Sequence, residues 1–94
     1  MLVVRYYGTA KRDRVSDAIA YLKGVSADMS ETVRIYEPFV GDNDVVGIEI
    51  EFEDLAHYER WDKENFDNPK GQEKLKEWFE VTTANRNEIL RLVK

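Results

Sequence analysis

The spacing of apolar positions changes repeatedly along this chain, and each change marks an element boundary. Residues 2–8, LVVRYYG, are rich in β-branched and aromatic side chains and end at a glycine, which predicts a strand. From 11 to 27 the period lengthens. Val15, Ala18, Ile19 and Leu22 fall at helical steps, with Asp13, Arg14, Asp17 and Lys23 on the other side, and the helix is expected to end near Gly24 or shortly after. Residues 32–40, TVRIYEPFV, return to strand chemistry, and Pro38, which cannot donate to a ladder, assigns them to a sheet edge or a bulge. Gly41-Asp42-Asn43-Asp44 is dense in turn formers and predicts a hairpin.

Residues 45–53 carry the clearest alternation in the chain. Val46, Ile48, Ile50 and Phe52 interleave with Gly47, Glu49, Glu51 and Glu53, the signature of a strand with one apolar and one polar face. Asp54 is placed to cap a helix bearing Leu55, Tyr58 and Trp61 or Asp62 at helical steps. Asn68-Pro69 restarts a helix with Asn as cap and Pro in the first turn; Leu75, Trp78, Phe79 and Thr82 are expected along its buried side. Glu88 to Val93 reads as a closing strand, although its Glu, Leu and Arg content also permits helix.

The resulting order is β-α-β-β-α-β with a broken second helix. It predicts one α+β domain over residues 1–94 of ferredoxin-like topology, a four-stranded antiparallel sheet with helices on one face. Alternation then assigns side chains to faces. Leu2, Val4, Tyr6, Val33, Ile35 and Phe39 turn to the helices, and Val3, Arg5, Tyr7, Arg34, Tyr36 and Val40 turn away beside Glu49 and Glu51. That second face is either solvated, with charges paired across strands, or an interface at which two sheets meet. Its tyrosines and arginines favour the interface.

Composition narrows the chemistry. With 43% apolar and 35% charged residues the chain is globular. Fourteen basic against 19 acidic residues give a net charge of −5, and no basic cluster forms a phosphate-binding face, so no nucleic-acid partner is expected. Lys11-Arg12-Asp13-Arg14 is interrupted by an acid and reads as a solvated helix end. Cysteine is absent, which excludes disulfides, thiolate metal sites and a cysteine nucleophile and fits a reducing compartment. The start, Met1-Leu2-Val3-Val4-Arg5, is too short for a signal peptide or a membrane span, so a cytoplasmic protein without membrane association is expected. At this length the core is modest, and pairing with a second copy would add buried surface.

Residues across nearly the whole chain carry a family resemblance: Arg5-Tyr6, the run Asn43 to Val46 leading into Ile48-Glu49-Ile50-Glu51-Phe52, Asp54-Leu55, Tyr58-Glu59, Trp78-Phe79 and Glu88 to Arg91. In this pattern the chain resembles the dimeric α+β barrel superfamily, and within it the small NIPSNAP-type domains. The resemblance implies a homodimer whose sheets face each other, which makes Arg5, Tyr7, Arg34, Tyr36, Glu49 and Glu51 the interface candidates. It also implies a cavity between sheet and helices, where relatives bind small aromatic or haem-like molecules. Superfamily chemistries include cofactor-independent oxygenation of polycyclic aromatics, haem degradation, chlorite decomposition and lactone isomerisation, whereas NIPSNAP-type members generally lack an assigned chemistry. Fold alone therefore decides no activity.

Candidate ligand-pocket residues are Tyr6, Tyr36, His57, Trp61, Trp78 and Phe79, with Tyr6 foremost as the polar contact. Each has a plainer reading as core or surface. His57, the only histidine, has no nucleophile beside it, and both tryptophans follow it, unlike the arrangement that the haem-degrading relatives imply. Glu49 and Glu51 stand about 7 Å apart on one strand face and are better read as partners of Arg5 and Arg34 than as metal ligands. No glycine-rich phosphate loop, nucleotide fingerprint or zinc spacing is present, so neither cofactor nor metal is expected. The leading expectation is a homodimeric domain binding a small apolar or aromatic ligand. The alternative is a cofactor-independent monooxygenase of the antibiotic-biosynthesis type, and a third class is a protein–protein adaptor.

Overall fold

A computed structural model describes residues 1–40 and 44–93. The elements follow in the order β1 (Leu2–Ala10), α1 (Val15–Ser26), β2 (Val33–Tyr36), β3 (Val45–Phe52), α2 (Leu55–Asn65), α3 (Pro69–Val81) and β4 (Thr82–Arg91). The strands form one four-stranded sheet in the order β2-β3-β1-β4. Every pairing is antiparallel. This is the ferredoxin-like α+β arrangement, with its second helix broken into α2 and α3.

Register fixes the two faces. Opposite one another on β1 and β3 stand Val4 and Ile50, Tyr6 and Ile48, Gly8 and Val46; one residue on stand Arg5 and Glu49, Tyr7 and Gly47. The first set lies under the helices. Val4, Val46, Ile50 and Phe52 are fully buried there, joined by Ala18 and Leu22 from α1, Trp61 from α2, and Trp78 and Val81 from α3. Burying an aliphatic or aromatic side chain of this size contributes about 1.5–3 kcal/mol, so this face supplies most of the stabilisation.

Both helix starts legible in the sequence are capped as expected. The Asp54 side chain accepts from the His57 amide at 2.9 Å, and the Asn68 side chain accepts from the Gly71 amide at 2.7 Å, with Pro69 at the first helical position. His57 completes the first cap. Its Nδ1 accepts from the Glu53 amide at 3.1 Å, so the proton sits on Nε2, which donates to Glu31 at 3.0 Å. Where α2 gives way to α3 the backbones touch. A Cβ on Gly71 would lie 2.6 Å from Phe66 Cα and nearer still to the Asn65 carbonyl, so only glycine fits.

Three boundaries and one helix face differ from expectation, each for a local reason. Helix α1 starts at Val15 rather than 11 because Asp13 has φ 63°, a left-handed conformation outside the helix, and Lys11 to Arg14 close a turn instead. Strand β2 is an edge strand, as Pro38 required, but it stops at Tyr36. Phe39, expected to face the helices, lies beyond the strand and is 97% exposed. Phe79 is also largely exposed, at 54%: the buried side of α3 runs through Gly71, Leu75, Trp78 and Val81, and Phe79 is turned one residue away. Thr82, itself buried, begins β4 rather than ending the helix, and β4 extends well before Glu88 through exposed Thr83 to Asn87. The turn expected at Gly41 to Asp44 falls, apart from Asp44, outside the described residues.

Candidate functional site

Three helices resting on one twisted sheet leave a space where they do not meet. Here it is a cavity of about 360 Å³, within the roughly 300–1,000 Å³ range of small-molecule sites. Tyr21, Leu22 and Val25 of α1 form one wall, and Leu75 and Trp78 of α3 form another. Ile48 and Ile50 of β3 make an apolar floor beside Tyr6 of β1. Tyr58 and Asp62, one turn apart on α2, close the remaining side with Phe66. Polar groups are few: the tyrosine hydroxyls, Asp62, Asp67, Gln72 and Asn87.

Alternation along β1 points Tyr6 into this space, where its hydroxyl lies 3.5 Å from that of Tyr58. The separation is long for a hydroxyl pair, so each oxygen retains most of its bonding capacity for a third group. Burial, then the Tyr58 hydroxyl and the charge of Asp62, push the Tyr6 phenol well above its ordinary range. Tyr6 therefore stays protonated at neutral pH and is a donor, not a base. Tyr21 donates to the Lys74 carbonyl at 2.8 Å, and burial, helped by Glu77, raises its phenol to about 12.

The walls are held by aromatic packing and a short polar relay. Phe52 meets Tyr58 and Trp61 edge-on, each with ring centroids 5.3 Å apart, and Trp61 meets Phe66 at 5.0 Å. The Trp78 ring lies across Gly8, where a side chain would collide with it. Its indole N–H donates to Asn85, whose amide donates to Thr82 at 3.0 Å; the Thr82 hydroxyl returns to the Trp78 carbonyl at 2.9 Å.

Of the residues singled out from sequence, Tyr6 and Trp78 line the cavity. Tyr36 does not: Val33 and Ile35 take the helix-facing positions of β2, which leaves Tyr36 on the opposite face. His57 is committed to the α2 cap and to Glu31. Trp61 is buried in the core beside Phe52, outside the cavity lining. Phe79 borders a smaller depression of about 190 Å³ that shares Tyr6 and Trp78 with the main cavity. Sequence reasoning passed over Tyr21, Asp62, Phe66 and Asn87 as pocket residues. Only the i, i+4 step from Tyr58 to Asp62 carried a signal that they share a face.

Among the described residues no helix covers the opposite face of the sheet. Across it runs a row of alternating sign, Arg34, Glu49, Arg5 and Glu88, one residue from each strand. Glu49 is 5% exposed even so, because its neighbours close over it. Arg5 donates to it at 2.8 Å and Arg34 at 2.9 Å, Tyr36 reaches it at 3.4 Å, and Arg34 also pairs with Glu51 at 2.7 Å. Burial alone would raise the Glu49 carboxyl, but the two guanidinium groups outweigh it and hold the group below its ordinary range. In the next row the Tyr7 ring lies over Gly47 and Arg86 stacks on Tyr7, 4.7 Å from its centroid. The residues proposed from sequence for an interface thus form one connected surface.

Solved structures share this architecture at low sequence identity. An uncharacterised NIPSNAP domain protein from Burkholderia xenovorans superposes with a TM-score of 0.80 at 13% identity, covering 99% of this chain and 95% of that one. A NIPSNAP family protein from Agrobacterium tumefaciens gives 0.77 at 8% identity, covering 95% and 82%. A provisionally assigned antibiotic biosynthesis monooxygenase from Chloroflexus aurantiacus gives 0.74 at 12%, covering 99% and 93%. No protein-family model matches the sequence, and no curated protein matches it. The chain has the ferredoxin-like α+β fold that these NIPSNAP and monooxygenase structures share.

Proposed function

We propose that this chain is a homodimeric, NIPSNAP-like domain that binds a small apolar or aromatic molecule between its sheet and its helices. The cavity carries the reading. It has apolar walls, two phenol donors whose bonding capacity is not used up, and a volume suited to a small ligand. A purely structural dimer subunit would fill this space, and Trp61, one of the side chains available to do so, is packed outside it. Binding of the neutral fluorophore N-phenyl-1-naphthylamine tests this. Its emission should rise with wild-type protein, and Leu75→Trp, which places an indole in the space, should abolish the rise. An equal rise in both proteins would sink the cavity reading.

The dimer half of the proposal rests on the helix-free sheet face. A row reading Arg, Glu, Arg, Glu is complementary to itself when a second sheet is laid on it about a two-fold axis. Tyr36 and Leu90, 47% and 37% exposed, would be covered by that contact.

A second reading is cofactor-independent oxygenation of an aromatic substrate, as the name of the Chloroflexus protein suggests for that protein. Asp62 beside the phenol pair is the group available to take a proton from a bound phenol, since Tyr6 is held protonated. Oxygen uptake with a polyphenol that falls in Asp62→Asn would favour it; no uptake leaves binding as the function.

A further inference from the structure

Charge in the cavity is one-sided. Among the described residues its lining includes two carboxylates, Asp62 and Asp67, and no lysine, arginine or histidine. Asp62 is half-buried, and among the described residues no hydrogen bond or ion pair reaches its carboxylate. Around it stand aromatic walls: Tyr6 and Phe66, with ring centroids 6.0 Å apart, then Tyr58, and across the space Tyr21 and Trp78 at 5.4 Å. Ring faces of this kind attract a cation, and the attraction strengthens as water is excluded.

These features bear differently on three classes of ligand. An anion would enter beside Asp62 with no counter-charge in the lining, and the half-buried setting would weaken screening of the repulsion. A neutral molecule would gain apolar contact and a phenol hydrogen bond while leaving Asp62 unpaired. A cation would pair with Asp62 and rest against the rings. We infer that the cavity selects an organic cation, an amine or quaternary ammonium carried on an apolar or aromatic body, over a neutral or anionic molecule of the same shape. This rests on the ligand-binding reading above and assigns it a substrate class.

Three probes of one shape separate the possibilities: 4-phenylbutylamine, 4-phenylbutanol and 4-phenylbutyrate. Each is titrated at pH 7 with Trp78 in the cavity wall as the fluorescent reporter and Leu75→Trp as the filled-cavity control. The amine is expected to bind about tenfold tighter than the alcohol, with the carboxylate weakest. Asp62→Asn should weaken the amine about fivefold and leave the alcohol within about twofold. Carboxylate binding as tight as the amine, or an amine affinity indifferent to Asp62→Asn, would overturn the inference while alcohol binding upholds the cavity. If none of the three binds, the ligand reading itself fails and takes the inference with it. The comparison among probes in wild-type protein stands even where Asp62→Asn does not fold.

Discussion

Replacing Glu49 by Gln removes one charge from the centre of the sheet's helix-free face and leaves the shape almost unchanged. The carboxylate is 7% exposed while its partners Arg5 and Arg34 are 38% and 49% exposed, so the pairs lie between the buried and the surface case. Hydrogen bonds to a buried charge contribute about 1.5–3 kcal/mol each, and exposed ion pairs about 0–1 kcal/mol. In the single chain the released arginines stay hydrated, and the Gln carbonyl retains one acceptor. The expected loss per chain is therefore about 1–2 kcal/mol, the upper half of the range for two exposed pairs and below that for two buried ones. At this chain length a loss near 1.5 kcal/mol is about 6–12 °C in Tm, readable by circular dichroism. Acid adds a second readout. The Glu49 carboxyl titrates lower in the folded chain than in the unfolded one, so its contribution is present above the ordinary carboxylate range. It is lost as pH falls through the folded value. The gap between wild type and Glu49→Gln should thus be full at pH 7 and close toward acid. A variant within about 0.3 kcal/mol of wild type at pH 7, or a gap that widens in acid, would refute the reasoning.

Other perturbations probe other parts of the structure. Gly71→Ala sets a methyl group against the backbone of Asn65 and Phe66, which has no flexible end to move, and should cost about 1–3 kcal/mol in urea unfolding. Asn85→Ala strips the buried Trp78 indole of its acceptor and should cost about 1–3 kcal/mol, with a shift in tryptophan emission; an unshifted spectrum would show that the bond does not hold the ring. Arg34→Glu places a negative charge beside Glu49 and Glu51 and should convert a dimer into monomer at low micromolar concentration by sedimentation, whereas a persistent dimer would move the interface elsewhere.

The parts of the fold that could be read from sequence are those governed by near neighbours. The alternation from Val46 to Phe52 is set by a two-residue period, and the caps at Asp54 and Asn68 by contacts three residues apart, so both were visible in one chain. The first half of β4 was not. Thr83 to Asn87 are exposed and have no apolar alternation because the strand is an edge with little packed over it there, and only pairing with β1 makes it a strand. Phe39 fails for the converse reason: alternation points it at the helices, but the strand ends at Tyr36, ahead of Pro38, and leaves it exposed.

The candidate site was legible in part. Tyr6 followed from alternation alone. Tyr36 has the same chemistry, but the alternation of β2 already turns it to the other face, and the register of β2 on β3 keeps it there. The cavity is set by the distance between α1 and α3 above the sheet, a property of many contacts at once that no local pattern encodes. Asp62 illustrates the consequence. Its position one turn after Tyr58 is readable, but its significance emerges only when no basic side chain is found in the cavity lining among the described residues.

Native mass spectrometry of the protein purified gently from its own cells tests the central claim most directly. The expected spectrum is a mass of two chains plus a small molecule, with the small molecule absent when Leu75→Trp is purified in the same way. Bare single chains, or the same bound mass on the filled-cavity variant, would contradict a ligand-binding dimer.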